Sequence, residues 1–194
     1  MFMSDLMINT KHLRMSREDG WGYLPATDQV MEIFYGIRDL YDPRSIIEIG
    51  FNAGHSTTYM LEIFKDALVH SIGPSPKLDA EKTLLSIYPN RFMFYHGKTE
   101  DIQKTINPLF TYQMAFIDGL HDVEHVKMDL DFVINDLKCK WILMDNCERN
   151  DVQKGISYFE DQLGYGQKFF YNNFWKGKHS ELEMRFFSVS PNNI

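Results

Sequence analysis

The chain has 194 residues, 44% of them hydrophobic, enough for one domain with a sizeable core. A formal net charge of −7 argues against a broad basic face for nucleic acid, and no apolar run reaches the length of a membrane span. Cys139 and Cys147 form no C-x-x-C pair, so there is no metal-cysteine signal, and the expectation is a reducing, cytoplasmic setting.

Residues 1–27 are mixed and carry Gly20-Trp21-Gly22-Tyr23, which reads as an arm or lid before a core over residues 28–190, all in a single domain. A helix is expected from Thr27 or Asp28, with Val30, Ile33, Phe34 and Ile37 on one side, ending at Asp42-Pro43. Ser45–Ile49 reads as a strand buried on both faces. Gly50 and Gly54 follow it, where backbone can approach a ligand, and a helix capped by Ser56 or Thr57 comes next. Strands are then expected at 68–72, 92–95, 114–117 and 141–144. Helices are expected at 77–88, 99–106, from about 120 to 137, and 151–163. Two closing strands, 168–175 and 184–189, are separated by a polar loop. This alternation predicts an α/β, Rossmann-like, doubly wound and mostly parallel sheet of seven strands with an antiparallel C-terminal hairpin. Ligands then belong at the carboxyl ends of the strands, where Glu48, Gly73, His96, Asp118 and Asp145-Asn146 stand.

Glu48-x-Gly50-x-x-x-Gly54-x-Ser56 resembles the first motif of class I S-adenosylmethionine-dependent methyltransferases. The G-x-G-x-x-G fingerprint is absent, as is the phosphate-loop pattern around Gly97-Lys98-Thr99. The resemblance implies that this loop holds the methionine end of S-adenosylmethionine, with the acid before the first glycine helping to anchor it. Cofactor-binding candidates are therefore Glu48, Gly50, Asn52, Gly54, His55, Ser56, Gly73, Gly97 and Asp118. Ile117-Asp118-Gly119-Leu120-His121 resembles the I-D-G-x-H motif of one methyltransferase group. Asp145-Asn146 resembles the Asp-Asn pair of the divalent-metal-dependent, catechol-type O-methyltransferases. That implies a Mg²⁺ held by Asp118, Asp145 and Asn146, a set of hard oxygen ligands. The plain alternative is that both Asp residues cap the helices that follow them.

The chain departs from the family pattern at two places. The catechol-type enzymes have a lysine base three residues after the first metal Asp, and His121 stands there instead. A histidine is a suitable general base for a hydroxyl, which makes His121 and Asp118 the catalytic candidates. The second strand ends in Gly73-Pro74 where an acid usually holds the ribose; Ser71, Ser75 or Asp79 are the available substitutes. The expected partner is a small-molecule acceptor, with Trp21, Tyr23, Phe174 and Trp175 as candidate lining, and a homodimer is left open. Two other readings compete. His121-x-x-Glu124-His125 matches the inverted zinc-peptidase motif, and a non-catalytic nucleoside-binding domain would also tolerate the missing acid.

Overall fold

The computed structural model describes Leu24 and residues 27–77, 79–106, 110–164, 166–175 and 178–190. Most of the N-terminal arm, with Trp21 and Tyr23, lies outside them. Helix α1 spans Asp28–Tyr41; the Thr27 hydroxyl caps it by accepting from Val30 N at 3.3 Å. Its buried residues Val30, Ile33, Phe34 and Ile37 repeat at i, i+3, i+4 and i+7, and Asp42, in a left-handed conformation, ends it ahead of Pro43. There follow β1 (Ser45–Ile49), α2 (His55–Ile63), β2 (Leu68–Gly73), α3 (Ala80–Ile87), β3 (Phe92–His96), α4 (Thr99–Ile102) and β4 (Met114–Ile117). Helix α5 (Val123–Asp131) continues through a π-helical turn over Phe132–Asp136, and then come β5 (Trp141–Met144), α6 (Asn150–Ser157), β6 (Gln167–Trp175) and β7 (Lys178–Ser188).

The strands form one seven-stranded sheet in the order β3-β2-β1-β4-β5-β7-β6. All neighbours from β3 to β5 are parallel, and β7 runs antiparallel to both β5 and β6. Side chains alternate across the sheet. Ile46, Met114, Phe116 and Leu143 join the core under α1–α3, while Ile47, Ile49, Ala115, Ile117 and Ile142 join the core under α5 and α6. Both faces are thus covered, which is why the parallel strands read as unbroken apolar runs. The chain reverses direction of winding between β1 and β4, so a crevice opens at their carboxyl ends.

Several boundaries differ from expectation. Helices α3, α4 and α6 are each shorter, and β7 begins at Lys178 rather than 184. The charged segment read as a loop instead pairs with β6, Trp175 opposite Lys178. An edge hairpin tolerates such polar residues, because its backbone pairing does not require an apolar face.

Candidate functional site

Backbone hydrogen bonds join the carboxyl ends of the central strands into one rim. Gly50 N and Phe51 N donate to Ile72 O at 3.0 and 2.9 Å, and Gly97 N to Gly73 O at 3.1 Å. Asp118 N donates to Ile49 O at 2.8 Å, and Asp145 N to Ile117 O at 3.0 Å. Gly50 has φ +112, and a Cβ there would stand 1.9 Å from Asp118 O; a Cβ on Gly73 would stand 2.3 Å from Phe51 O. These glycines let neighbouring loops close on each other. The expectation that the missing side chains of Gly50 and Gly54 clear space for a ligand is corrected: at Gly54 a Cβ would face Leu84 and Ala80.

Glu48 lies behind this turn, fully buried on the side of the sheet that carries α1–α3. The hydroxyls of Ser56, Thr57 and Ser71 all donate to its carboxylate. Burial pushes its pKa up, and the three hydroxyls pull it back. Ser56 and Thr57 therefore do not cap α2; Gly54 occupies that position. His55 is buried, and desolvation lowers its pKa to about 4. Glu48, Gly54, His55 and Ser56 thus form the wall behind the turn and do not border the cavity in front of it.

That cavity has a volume of about 500 Å³, suitable for a cofactor-sized ligand. Gly50, Asn52, Gly73 and Gly97 border one end, and Asp118, His121, Asp145 and Asn146 the other. Asn52 Oδ1 is buried without a hydrogen-bond partner at the loop after β1, the kind of orphaned polar atom that a bound ligand satisfies. Of the substitutes for the ribose acid, Ser71 is engaged by Glu48, and Asp79 pairs with Lys82 at 2.7 Å away from the cavity. Ser75 borders it.

At the acidic end, His121 Nε2 stands 3.4 Å from Asp118 Oδ1 and has no hydrogen-bond partner, so the contact is electrostatic. Burial raises the Asp118 pKa, and His121 opposes the rise. Asp145 is raised well above the usual carboxylate range, by burial first and by Asp118 second. Tyr171 Oη donates to both Asp145 oxygens at 2.8 and 3.0 Å, and Asn146 N to Oδ1 at 2.8 Å. A buried carboxylate, Asp145, whose pKa is raised by the partly buried Asp118 beside it suits a divalent cation, and Asn146 adds an amide at the same cavity. Among the described residues no three His, Cys, Asp or Glu side chains gather as a metal site. The expected ligand triad is brought to one cavity, with its Asp145 corner already hydrogen-bonded.

The zinc-peptidase geometry is not formed. His121 precedes α5, whose N-cap is Asp122, and His125 Nδ1 contacts Asp122 Oδ2 at 2.7 Å. The two imidazoles therefore do not share a helical face. Among the residues at the cavity that the sequence pattern did not single out are Tyr171 and Asp129. Tyr171 sits in an aromatic run, with nothing to pair it with an acid 26 positions earlier. Asp129 carried a usable signal: it interrupts the apolar stripe Val126, Leu130, Val133 on the inner side of α5, where an acid is out of place. Phe174 and Trp175 lie on β6, and their side chains are outside the described set.

A model of the methyltransferase domain matches residues 47–147, just over half of the chain. No curated protein sequence matches it. Among solved structures, the fold is similar to the O-methyltransferase from Bacillus cereus in complex with SAH, at TM-score 0.65 and 16% identity. That match covers 85% of this chain and 84% of that one. It is similar to the O-methyltransferase TomG from Streptomyces achromogenes in complex with SAM, at TM-score 0.66 and 12% identity over 95% and 90% of the two chains. It is also similar to precorrin-6y C5,15-methyltransferase from Geobacter metallireducens, at 0.60 and 13% over 87% and 92%. At these identities the likeness is one of fold.

Proposed function

We propose, from the premise that this chain belongs to the methyltransferase-domain family, that it moves a methyl group from S-adenosylmethionine to a hydroxyl of a small acceptor, with Mg²⁺ assisting. One observation carries the reading: the glycine turn after β1 and the Asp118–His121 and Asp145–Asn146 pairs open into the same cavity. The family supplies the methyl-transfer activity, and two of the similar folds named above are O-methyltransferases, one bound to SAH and the other to SAM.

S-adenosylmethionine supplies an electrophilic methyl group on a sulfonium. The turn from Gly50 to Asn52 faces the end of the cavity where Asn52 Oδ1 accepts a donor from the cofactor. Asp118, Asp145 and Asn146 would hold Mg²⁺, which supplies positive charge that lowers the pKa of an acceptor hydroxyl. His121 Nε2, buried beside Asp118 and unpartnered, takes the hydroxyl proton. Asp118 then stabilises the imidazolium, as a carboxylate beside a charged ring does. Tyr171 holds the Asp145 carboxylate in one orientation. The acceptor end is bordered by Leu120, Tyr171 and Leu182, apolar surface suited to a small ring or chain bearing the hydroxyl.

Calorimetry with S-adenosylmethionine and S-adenosylhomocysteine, with and without Mg²⁺, tests the cofactor half. Binding of both in the micromolar range supports the reading, and no binding of either sinks it. Screening hydroxylated acceptors then tests the metal half. EDTA and Asp145→Ala are each expected to remove turnover with cofactor affinity little changed, because the ion meets the acceptor; full activity in EDTA removes the metal from the proposal.

A further inference from the structure

Asp129 projects from the inner side of α5 and is only 3% exposed, yet it borders the cavity. Its Oδ1 accepts the Thr99 hydroxyl at 2.6 Å, and its Oδ2 lies so close to Gly119 that a Cβ there would stand 2.8 Å away. It thus stands between the turn after β3 and the turn after β4. Among the described residues no Lys, Arg or His lies within ion-pair distance of it. A carboxyl group in such a place is costly: burial pushes its pKa up to about 7, and the Thr99 hydroxyl offsets this only in part. An acid kept at a cavity wall without a cation suits a neutral hydrogen-bond donor on a ligand.

We infer that Asp129 recognises the adenine of the cofactor by accepting a hydrogen bond from its exocyclic amine. The inference rests on the reading of the cavity as an S-adenosylmethionine site. On this side β2 ends in Gly73-Pro74, and the acid that follows β3, Glu100, borders the cavity but is paired with Lys98 at 3.8 Å, which leaves Asp129 as the acid without a cation. Ile49 and Ile72 border the same cavity and offer apolar surface for the faces of a base, which leaves its polar edge to be read by a side chain. Adenine presents an amine on that edge, and hypoxanthine presents a carbonyl oxygen, which a carboxylate repels. The acidic group therefore selects one base over the other, whereas a group that only supported the Thr99 turn does not.

The experiment is calorimetry of S-adenosylhomocysteine against S-inosylhomocysteine at about pH 8, above the Asp129 pKa so that the group is a carboxylate, on the parent protein and on Asp129→Asn. The parent is expected to prefer the adenine compound by about ten- to a hundredfold, the range for a hydrogen bond to a charged group. In Asp129→Asn the preference falls toward equality, because an amide accepts from the amine or donates to the carbonyl. Should that variant not fold, Asp129→Ser, still able to bond Thr99, is read by the same ratio. Equal losses for both ligands, or a parent that does not discriminate, overturn the assignment. If the parent binds neither ligand, the cofactor reading itself fails and takes this inference with it.

Discussion

The two ends of the cavity are built from different materials. Around β1 and β2 the wall is backbone: Gly50, Phe51 and Gly73 interlock, with Phe51 N on Ile72 O and the Gly73 position against Phe51 O. Beyond β4 and β5 it is titratable side chains: the partly buried Asp118 and His121 and the buried Asp145, with Tyr171 holding the last. Backbone geometry leaves little latitude, since a single added carbon has nowhere to go. Side-chain geometry is adjustable, and a change there alters chemistry while the chain still folds. The first end should therefore respond to substitution through stability, and the second through turnover.

The largest effect is expected at Gly50. Gly50→Ala forces a Cβ into Asp118 O at a φ of +112, and is expected to destabilise the protein by about 3 kcal/mol or more, read in a urea titration. Gly73→Asp is informative in the same way. From sequence alone it would restore a ribose acid and tighten binding. With Phe51 O 2.3 Å from the new Cβ, it should instead displace the turn and weaken binding. A tighter, stable Gly73→Asp protein would mean that the Phe51 turn yields readily, and the contrast between the two ends would dissolve.

At the other end, His121→Ala is expected to lower kcat about a hundredfold, the ordinary contribution of a general base, with the urea midpoint little moved. Tyr171→Phe removes the hydroxyl on both Asp145 oxygens and leaves a buried carboxylate less satisfied. A cost of about 1–2 kcal/mol follows, with a fall in turnover as Asp145 loses its fixed orientation. Stability losses in both variants that match Gly50→Ala, with turnover intact, would reverse the assignment of roles.

How much of this was legible in the chain differs in the same way between the two ends. The sheet was readable because its parallel strands are apolar on both faces and its helices carry clean stripes, as with Val30, Ile33, Phe34 and Ile37. The acids at Asp118 and Asp145 were readable because strand ends in such a sheet face one crevice. Glu48 was misplaced by the same rule: it lies within β1, so the pleat turns it toward α2 and into hydroxyls rather than into the cavity. Tyr171 could not be foreseen, since it reaches Asp145 through an antiparallel hairpin whose register the sequence leaves open. The interlock of Gly50 with Asp118 is likewise a contact between distant loops, to which local pattern is blind.

The smallest effect separates the scaffold from both ends. His70, on β2, is buried; its Nδ1 meets Tyr112 Oη at 2.7 Å and its ring stacks on Phe110 at 4.8 Å. Burial lowers its pKa to about 4, against 6.5 for a free histidine. The unfolded chain therefore binds a proton more readily than the folded one. The contribution of His70 is fully present above pH 6.5 and is lost as pH falls toward 4. His70→Gln keeps a partner for Tyr112 without the titration. Parent and variant should differ in how stability changes between pH 7 and 5, by about 1 kcal/mol after allowance for solvent screening. His55, also lowered to about 4, is present in both proteins, so its share cancels in the comparison. Neither residue borders the cavity, so cofactor affinity of His70→Gln at neutral pH should be unchanged. Parallel stability curves across this range would mean that His70 is solvated enough to titrate as in the unfolded chain, and that the layer beneath β2 is looser than its packing indicates.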